Sequence, residues 1–385
     1  MIAYKNDWLN NLQVQQQLEE AAAKNYISKE EKAAAIAAYS SGFYTPNIFI
    51  RTGLFILTVV IALFSIGLMA LTLSGRGGEN IFGGLLLFFS AASYAALELM
   101  VRQKHHYKSG TDDALLWITG TCIICGFNLI TEISATGNMM ILFVIGTCFF
   151  LRFANAIMGI LVPIAFLSIV FLSMGNAGNF SKTATPFILM LLAAVIYFVS
   201  KYLLKQQPCS SYKSPLTFMK ITALIMIYAA GNYYAVSEAS LQLFHQQQEA
   251  AIPFGWLFWF LTFFIPIVYI FRGLQKKDIV LLRVGLLLLA AIVFTVKYYY
   301  ALAPIEIEMA LGGSILIVIA YALVQYLQQP KYGFTSTSPA DQQMSDKLNI
   351  EALIIAETYD GVQEGNNAIN FGGGGFGGGG AIGDF

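Results

Sequence analysis

The chain has 385 residues, no formal net charge and only 11% charged residues, with a positive mean hydropathy. An ordinary soluble domain carries roughly 25% charged residues, so this composition excludes a soluble globular protein of the common kind. No basic patch supports nucleic-acid binding.

Residues 1–45 read as a small helical hairpin. Trp8, Leu9, Leu12 and Leu18 give an apolar stripe on a first helix. Ser28-Lys29-Glu30-Glu31 fits a capping box, with the Ser28 hydroxyl on the Glu31 amide and the Glu31 side chain reaching back. A second helix then runs through Ala33, Ile36, Ala37 and Tyr39 and stops at Ser40-Ser41-Gly42. So small a bundle buries little core by itself, so it is expected to pack on the membrane block or on a partner.

From Ile48 to about Leu327 apolar runs of about 20 residues follow one another, each long enough for a hydrocarbon core of about 30 Å. Ten are read: 48–74, 81–101, 112–133, 138–152, 155–174, 184–204, 216–237, 253–272, 279–300 and 305–327. Lipid offers no partner to free backbone groups, so each is expected as a helix in an all-α transmembrane bundle. The first 45 residues do not form a cleavable signal, and the first span is expected to act as an uncleaved anchor. With spans taken alternately, all of the 22 Lys and Arg except Arg76, Lys182 and Lys297 fall on one side. That bias predicts a multi-pass protein of a bacterial inner membrane with both termini cytosolic.

Within the block several residues invite two readings. The run Ser90 to Ala96 is a candidate packing face. Glu98 lies four residues before Arg102, the spacing of an interfacial ion pair. His105-His106 with Asp112-Asp113 could suggest a metal, but no third spaced ligand follows; Asp112 is read as the N-cap of the third span. Cys122-Ile123-Ile124-Cys125 has redox spacing but sits in an apolar helix, where the cysteines serve as small packing residues. Pro163 and Pro266 are expected to kink their helices. Trp256, Trp259 and Tyr298-Tyr299-Tyr300 fit an interfacial aromatic belt. Lys297, Glu306 and Glu308 cluster at the last turn between spans and, with Asn128 and Asn232, form the set of polar side chains that could serve a ligand. Lys297 can instead snorkel, and the two acids suit the first turn of a helix.

Beyond the bundle (46–328), residues 329–360 read as a linker with a short apolar patch, and 361–385 as a glycine-rich disordered tail. The hairpin around Tyr26-Ile27-Ser28-Lys29-Glu30-Glu31, followed by a polytopic block, resembles uncharacterised bacterial membrane proteins grouped as a domain of unknown function. That resemblance implies no activity. The tail, with Phe371 and Phe376 between glycine runs and Phe385 at its end, is similar to those of some bacterial membrane proteins with a TPM domain, although the domain itself is missing here.

No ionisable side chain falls at the centre of a predicted span, which argues against coupled transporters, pumps and membrane-embedded hydrolases. The sequence therefore predicts a non-enzymatic protein without cofactor or metal, a scaffold, sensor or assembly factor. Its partners would be membrane lipid and a protein held through the hairpin or the tail. The alternative is an uncoupled lipid or small-molecule transporter, with a cavity lined by Asn128, Asn155 and Asn232 around the two prolines.

Overall fold

The computed structural model describes residues 2–24, 26–73, 78–175, 179–244 and 253–299, with scattered positions between 307 and 325. Twelve α-helices and no strand form among these residues. They are α1 (Asn6–Ala23), α2 (Lys29–Ala38), α3 (Ile48–Leu73), α4 (Glu79–Arg102), α5 (Thr111–Thr131) and α6 (Ala135–Phe153). Then come α7 (Met158–Met174), α8 (Asn179–Leu203), α9 (Lys213–Gly231), α10 (Tyr233–Phe244), α11 (Gly255–Lys276) and α12 (Ile279–Tyr299). Eight of them, α3 to α6, α8, α9, α11 and α12, are long and apolar enough to cross a membrane. The chain is a membrane-embedded helical bundle. The described positions after Ala320 belong to a second unit, Ala320–Phe385, in which Gln325 Nε2 donates to Tyr321 Oη at 2.9 Å.

Nine of the ten apolar runs appear as helices, with one correction. The seventh does not continue to residue 237: α9 stops at Gly231, Asn232 is extended (φ −82°, ψ 130°), and α10 begins at Tyr233. The break has local causes. The Asn232 carboxamide oxygen accepts from the Ala235 amide at 3.1 Å and caps α10, and the orphan Tyr233 amide donates to Thr262 Oγ1 at 3.1 Å. The fourth and fifth runs are separate helices, α6 and α7, parted at Ala154 in the left-handed region (φ 46°). Most of the tenth run, residues 245–252 of the preceding long loop, Glu306, Glu308, the linker and the tail lie outside the described residues.

Two cores hold the bundle. One gathers Leu97, Leu116, Phe149, Phe153, Met158 and Leu216 from α4 to α7 and α9; the other gathers Leu224, Tyr228, Ile265, Tyr269, Val284 and Leu288 from α9, α11 and α12. Close helix contact is set by glycine as well as by the expected small-residue run. A Cβ on Gly83 of α4 would lie 2.9 Å from the Gly126 carbonyl oxygen of α5. Of the run from Ser90 to Ala96, Ser90 and Ser93 are buried, whereas Ala91, Ala92 and Ala95 are exposed. Pro163 and Pro266 both sit buried inside their helices. Helix α3 leans on the outside: none of its membrane-length window is buried, and Phe64 is 76% exposed.

The hairpin packs on the bundle. Leu9 and Tyr4 enter the first core, Ala3 N donates to Arg152 O at 2.8 Å, and Gln13 Nε2 donates to Ser210 O at 3.2 Å in the 3₁₀ turn Gln207–Tyr212. The capping box of α2 forms as expected, with Glu31 N to Ser28 Oγ at 3.1 Å and Ser28 N to Glu31 Oε2 at 2.7 Å. The Ser28 amide, helped by the Ser28 hydroxyl, holds the Glu31 carboxyl below its usual value.

Candidate functional site: a charged cleft at the hairpin end

The hairpin end of the bundle brings together more polar chemistry than any other described region. The segment 103–110, between α4 and α5, is drawn tight around Asp112. Its carboxylate accepts from the amides of Lys108 (2.8 Å), Ser109 (2.8 Å) and Gly110 (3.1 Å) and from Ser109 Oγ (3.0 Å). The N-cap of α5 is Gly110, so Asp112 does not cap the helix; it sits in the first turn and folds back on the preceding loop. Gly110 needs its φ of +94°, and a Cβ there would lie 2.0 Å from the Arg51 carbonyl oxygen.

Asp113 faces α3. It pairs with Arg51 Nη2 at 2.6 Å and accepts from Asn155 Nδ2 at 3.0 Å. Glu98 makes the expected pair with Arg102 at 2.7 Å, but Arg152 also reaches it from the end of α6, with Nε on Oε1 at 2.9 Å and Nη2 on Oε2 at 3.0 Å. A third cross-helix pair joins Lys220 of α9 to Asp278 before α12 at 2.7 Å, beside the second core. None of these cross-helix pairs was legible in the sequence, since each joins residues 54 to 62 positions apart. The only signal was the placement of acids and bases at helix ends on one side.

An aromatic cluster seats the hairpin on this loop. Tyr4 meets Phe43 and Tyr107 edge-on at 5.8 and 4.9 Å, and Trp8 meets Phe43 and His105 at 5.3 and 4.9 Å. Tyr44 and residues 105–107 exchange backbone hydrogen bonds, Tyr44 N to His105 O at 3.0 Å and Tyr107 N to Tyr44 O at 3.3 Å. The two histidines diverge, His105 onto Trp8 and His106 onto Ser109 Oγ at 2.8 Å. Among the described residues, no group of three His, Cys, Asp or Glu comes together. Burial holds the His106 imidazole below its usual pKa and pushes the Tyr4 phenol well up.

Between these elements lies a cleft of about 320 Å³, whose lining includes Tyr4, Arg51, Lys108, Asp112, Asp113 and Asn155 together with the apolar Ile48, Phe55, Trp117 and Ile157. Its size falls in the range of about 300–1,000 Å³ common to ligand pockets.

The residues singled out from the sequence do not assemble into one site. Asn128 exchanges amide hydrogen bonds with Asn138 of α6 at 2.6 and 2.9 Å. Asn232 donates to Tyr228 Oη at 2.9 Å and to Thr295 Oγ1 at 3.0 Å, buried between α9 and α12. Only Asn155 lines the charged cleft, so the three asparagines do not share a cavity. Lys297 lies half-buried near the end of α12; Glu306 and Glu308, its expected neighbours, are outside the described residues. Cys122 is buried and Cys125 exposed, both as free thiols in α5. Tyr233 stacks on Trp259 at 5.0 Å and meets Tyr299 at 5.1 Å, so part of the expected aromatic belt is a cross-helix cluster.

Comparison with protein-family models, with curated proteins and with solved structures gives no match.

Proposed function

We propose that this is a non-enzymatic docking protein of a bacterial inner membrane, a scaffold, sensor or assembly factor, with its hairpin end in the cytosol. The orientation is supported by the bias of Lys and Arg toward that end of the spans. The observation that carries the reading is how the hairpin is seated. Helix α1 is anchored through Leu9, Tyr4 and Gln13, while α2 has no buried residue and turns Ala33, Ala34 and Ala37 outward between the exposed Tyr26 and Tyr39. A membrane-anchored bundle thus holds a helix with a small-residue face clear of its own core.

The test is affinity purification of full-length protein from native membranes, compared with the A33E/A37E double variant. Glutamate is a good helix former, so the change alters the face of α2 and not its helicity. A stoichiometric protein recovered with the native chain and lost with the variant supports the reading. Recovery of the native chain alone, or of the same partner with both, overturns it.

A further inference from the structure

The cleft between α3, α5 and the start of α7 has donors that its own two carboxylates do not use up. Both carboxylates are satisfied by the protein: Asp112 takes four donors from residues 108–110, and Asp113 takes Arg51 and Asn155. The cations are not used up. Lys108 makes no ion pair among the described residues; its ammonium lies 5.4 Å from the Tyr107 ring centre. Arg51 gives one nitrogen to Asp113 and keeps further N–H groups of its five donors. A third donor is the Tyr4 hydroxyl. Tyr4 is only 9% exposed and lines the cleft, yet its hydroxyl has no hydrogen-bond partner among the described residues.

The apolar wall states where the ligand comes from. Ile48, 65% exposed, opens α3, which is long and apolar enough to cross a membrane, and Ile157, 41% exposed, precedes the shorter apolar helix α7. The donors thus lie at one end of a membrane-length helix, where headgroups would meet them, with exposed apolar side chains in the same lining. Basic pockets between transmembrane helices are suited to such headgroups.

We propose that this cleft binds the phosphodiester of a phospholipid from the adjacent leaflet, with Tyr4, Arg51 and Lys108 donating to its oxygens and the acyl chains leaving past Ile48 and Ile157. The site stands apart from the docking reading above, because the loss of a protein partner would not alter it.

The experiment uses full-length protein, stripped of lipid in a maltoside detergent. Phosphatidylglycerol, a phosphate-free diglucosyl diacylglycerol and glycerol 3-phosphate are added separately, and retention by native mass spectrometry and thermal melting are read. Phosphatidylglycerol is expected to be retained and to raise the melting temperature, and the other two are not. Y4F and K108Q both leave the Arg51–Asp113 pair intact, and each is expected to weaken phosphatidylglycerol binding at least about tenfold, the scale of one hydrogen bond to a charged group. K108Q changes an exposed side chain, so it keeps the test open if Y4F folds poorly. Equal retention of the glycolipid overturns the proposal, as does unchanged binding by both variants. Stabilisation by glycerol 3-phosphate equal to that by the lipid overturns the lipid source.

Discussion

Lys220 and Asp278 form the most enclosed ion pair among the described residues, with side chains 8% and 18% exposed. Burying two charges is costly, and removing one leaves the other without compensation, at about 3–5 kcal/mol. D278N is therefore expected to lower the melting temperature in detergent clearly more than the isosteric double change K220M/D278L. Desolvation opposes the Asp278 carboxylate, but the Lys220 hydrogen bond and charge, the Leu281 amide and Lys201 outweigh it and hold its pKa below the usual value. The folded pKa is thus lower than the unfolded value of about 3.9, so the carboxylate stabilises the fold above that value. This stability is lost as pH falls from about 4 through the lowered folded pKa. Melts of wild type and D278N between pH 7 and pH 3 should converge at the acid end; parallel curves would show that Asp278 is not the titrating group. Gly110 is a second critical residue. G110A forces a side chain into φ +94° and onto the Arg51 carbonyl, and strained backbone of this kind costs about 1–3 kcal/mol before the clash is counted. A melting temperature within a degree of wild type would contradict that geometry.

At the level of elements, the break between α9 and α10 is the least ordinary feature. Backbone groups freed inside a membrane protein must be satisfied by other protein groups. The Asn232 oxygen takes the Ala235 amide and Thr262 Oγ1 takes the Tyr233 amide, while the Asn232 nitrogen ties the break to the Tyr228 and Thr295 side chains. N232A is expected to cost about 1 kcal/mol for the cap and about 0.6 for the interhelical bonds. Amide exchange should rise at residues 233–236 with little change in α8. Uniform exchange across α9 to α12 would instead mean that the break is a hinge of the whole second core. An Asn after Gly inside an apolar run is the sequence signal for this break, a helix end followed by an N-cap. The apolar pattern on either side runs on without interruption, so hydropathy alone reads through it. The same limit applies to Asp112: an acid at the start of a span reads as a cap, and only the fold of residues 103–110 shows its carboxylate turned back on three loop amides.

Across the whole molecule, the hairpin is a lid on the first core as well as a presenter of α2. Tyr4 and Leu9 pack with Leu97 and Val101 at the end of α4. A chain beginning at Thr45 would bare those residues and lose the Ala3–Arg152 backbone bond. It is expected to melt well below the full-length protein, which is why the partner test uses changes on α2 and not a truncation. Equal melting temperatures would show the hairpin to be a free appendage. Helix α3 is the opposite case. Its outward side chains are largely uncovered, with Phe64 76% and Leu71 74% exposed. A tryptophan at position 71 should be quenched by brominated acyl chains; no quenching would mean that another protein surface covers α3.

The sequence by itself determined the membrane-embedded helical class and the positions of most helices, because hydrocarbon admits few backbone solutions and their length is written in apolar run length. It also determined the capping box at Ser28 and Glu31, and the Glu98–Arg102 pair, since both are local spacings. What only the tertiary structure decided were the contacts that join distant helices: Arg51 with Asp113, Arg152 with Glu98, Lys220 with Asp278, and Tyr4 held over the cleft. Periodicity says which face of a helix is apolar but not which helix will meet it. The cleft and its open donors exist only once α3, α5 and the hairpin have met.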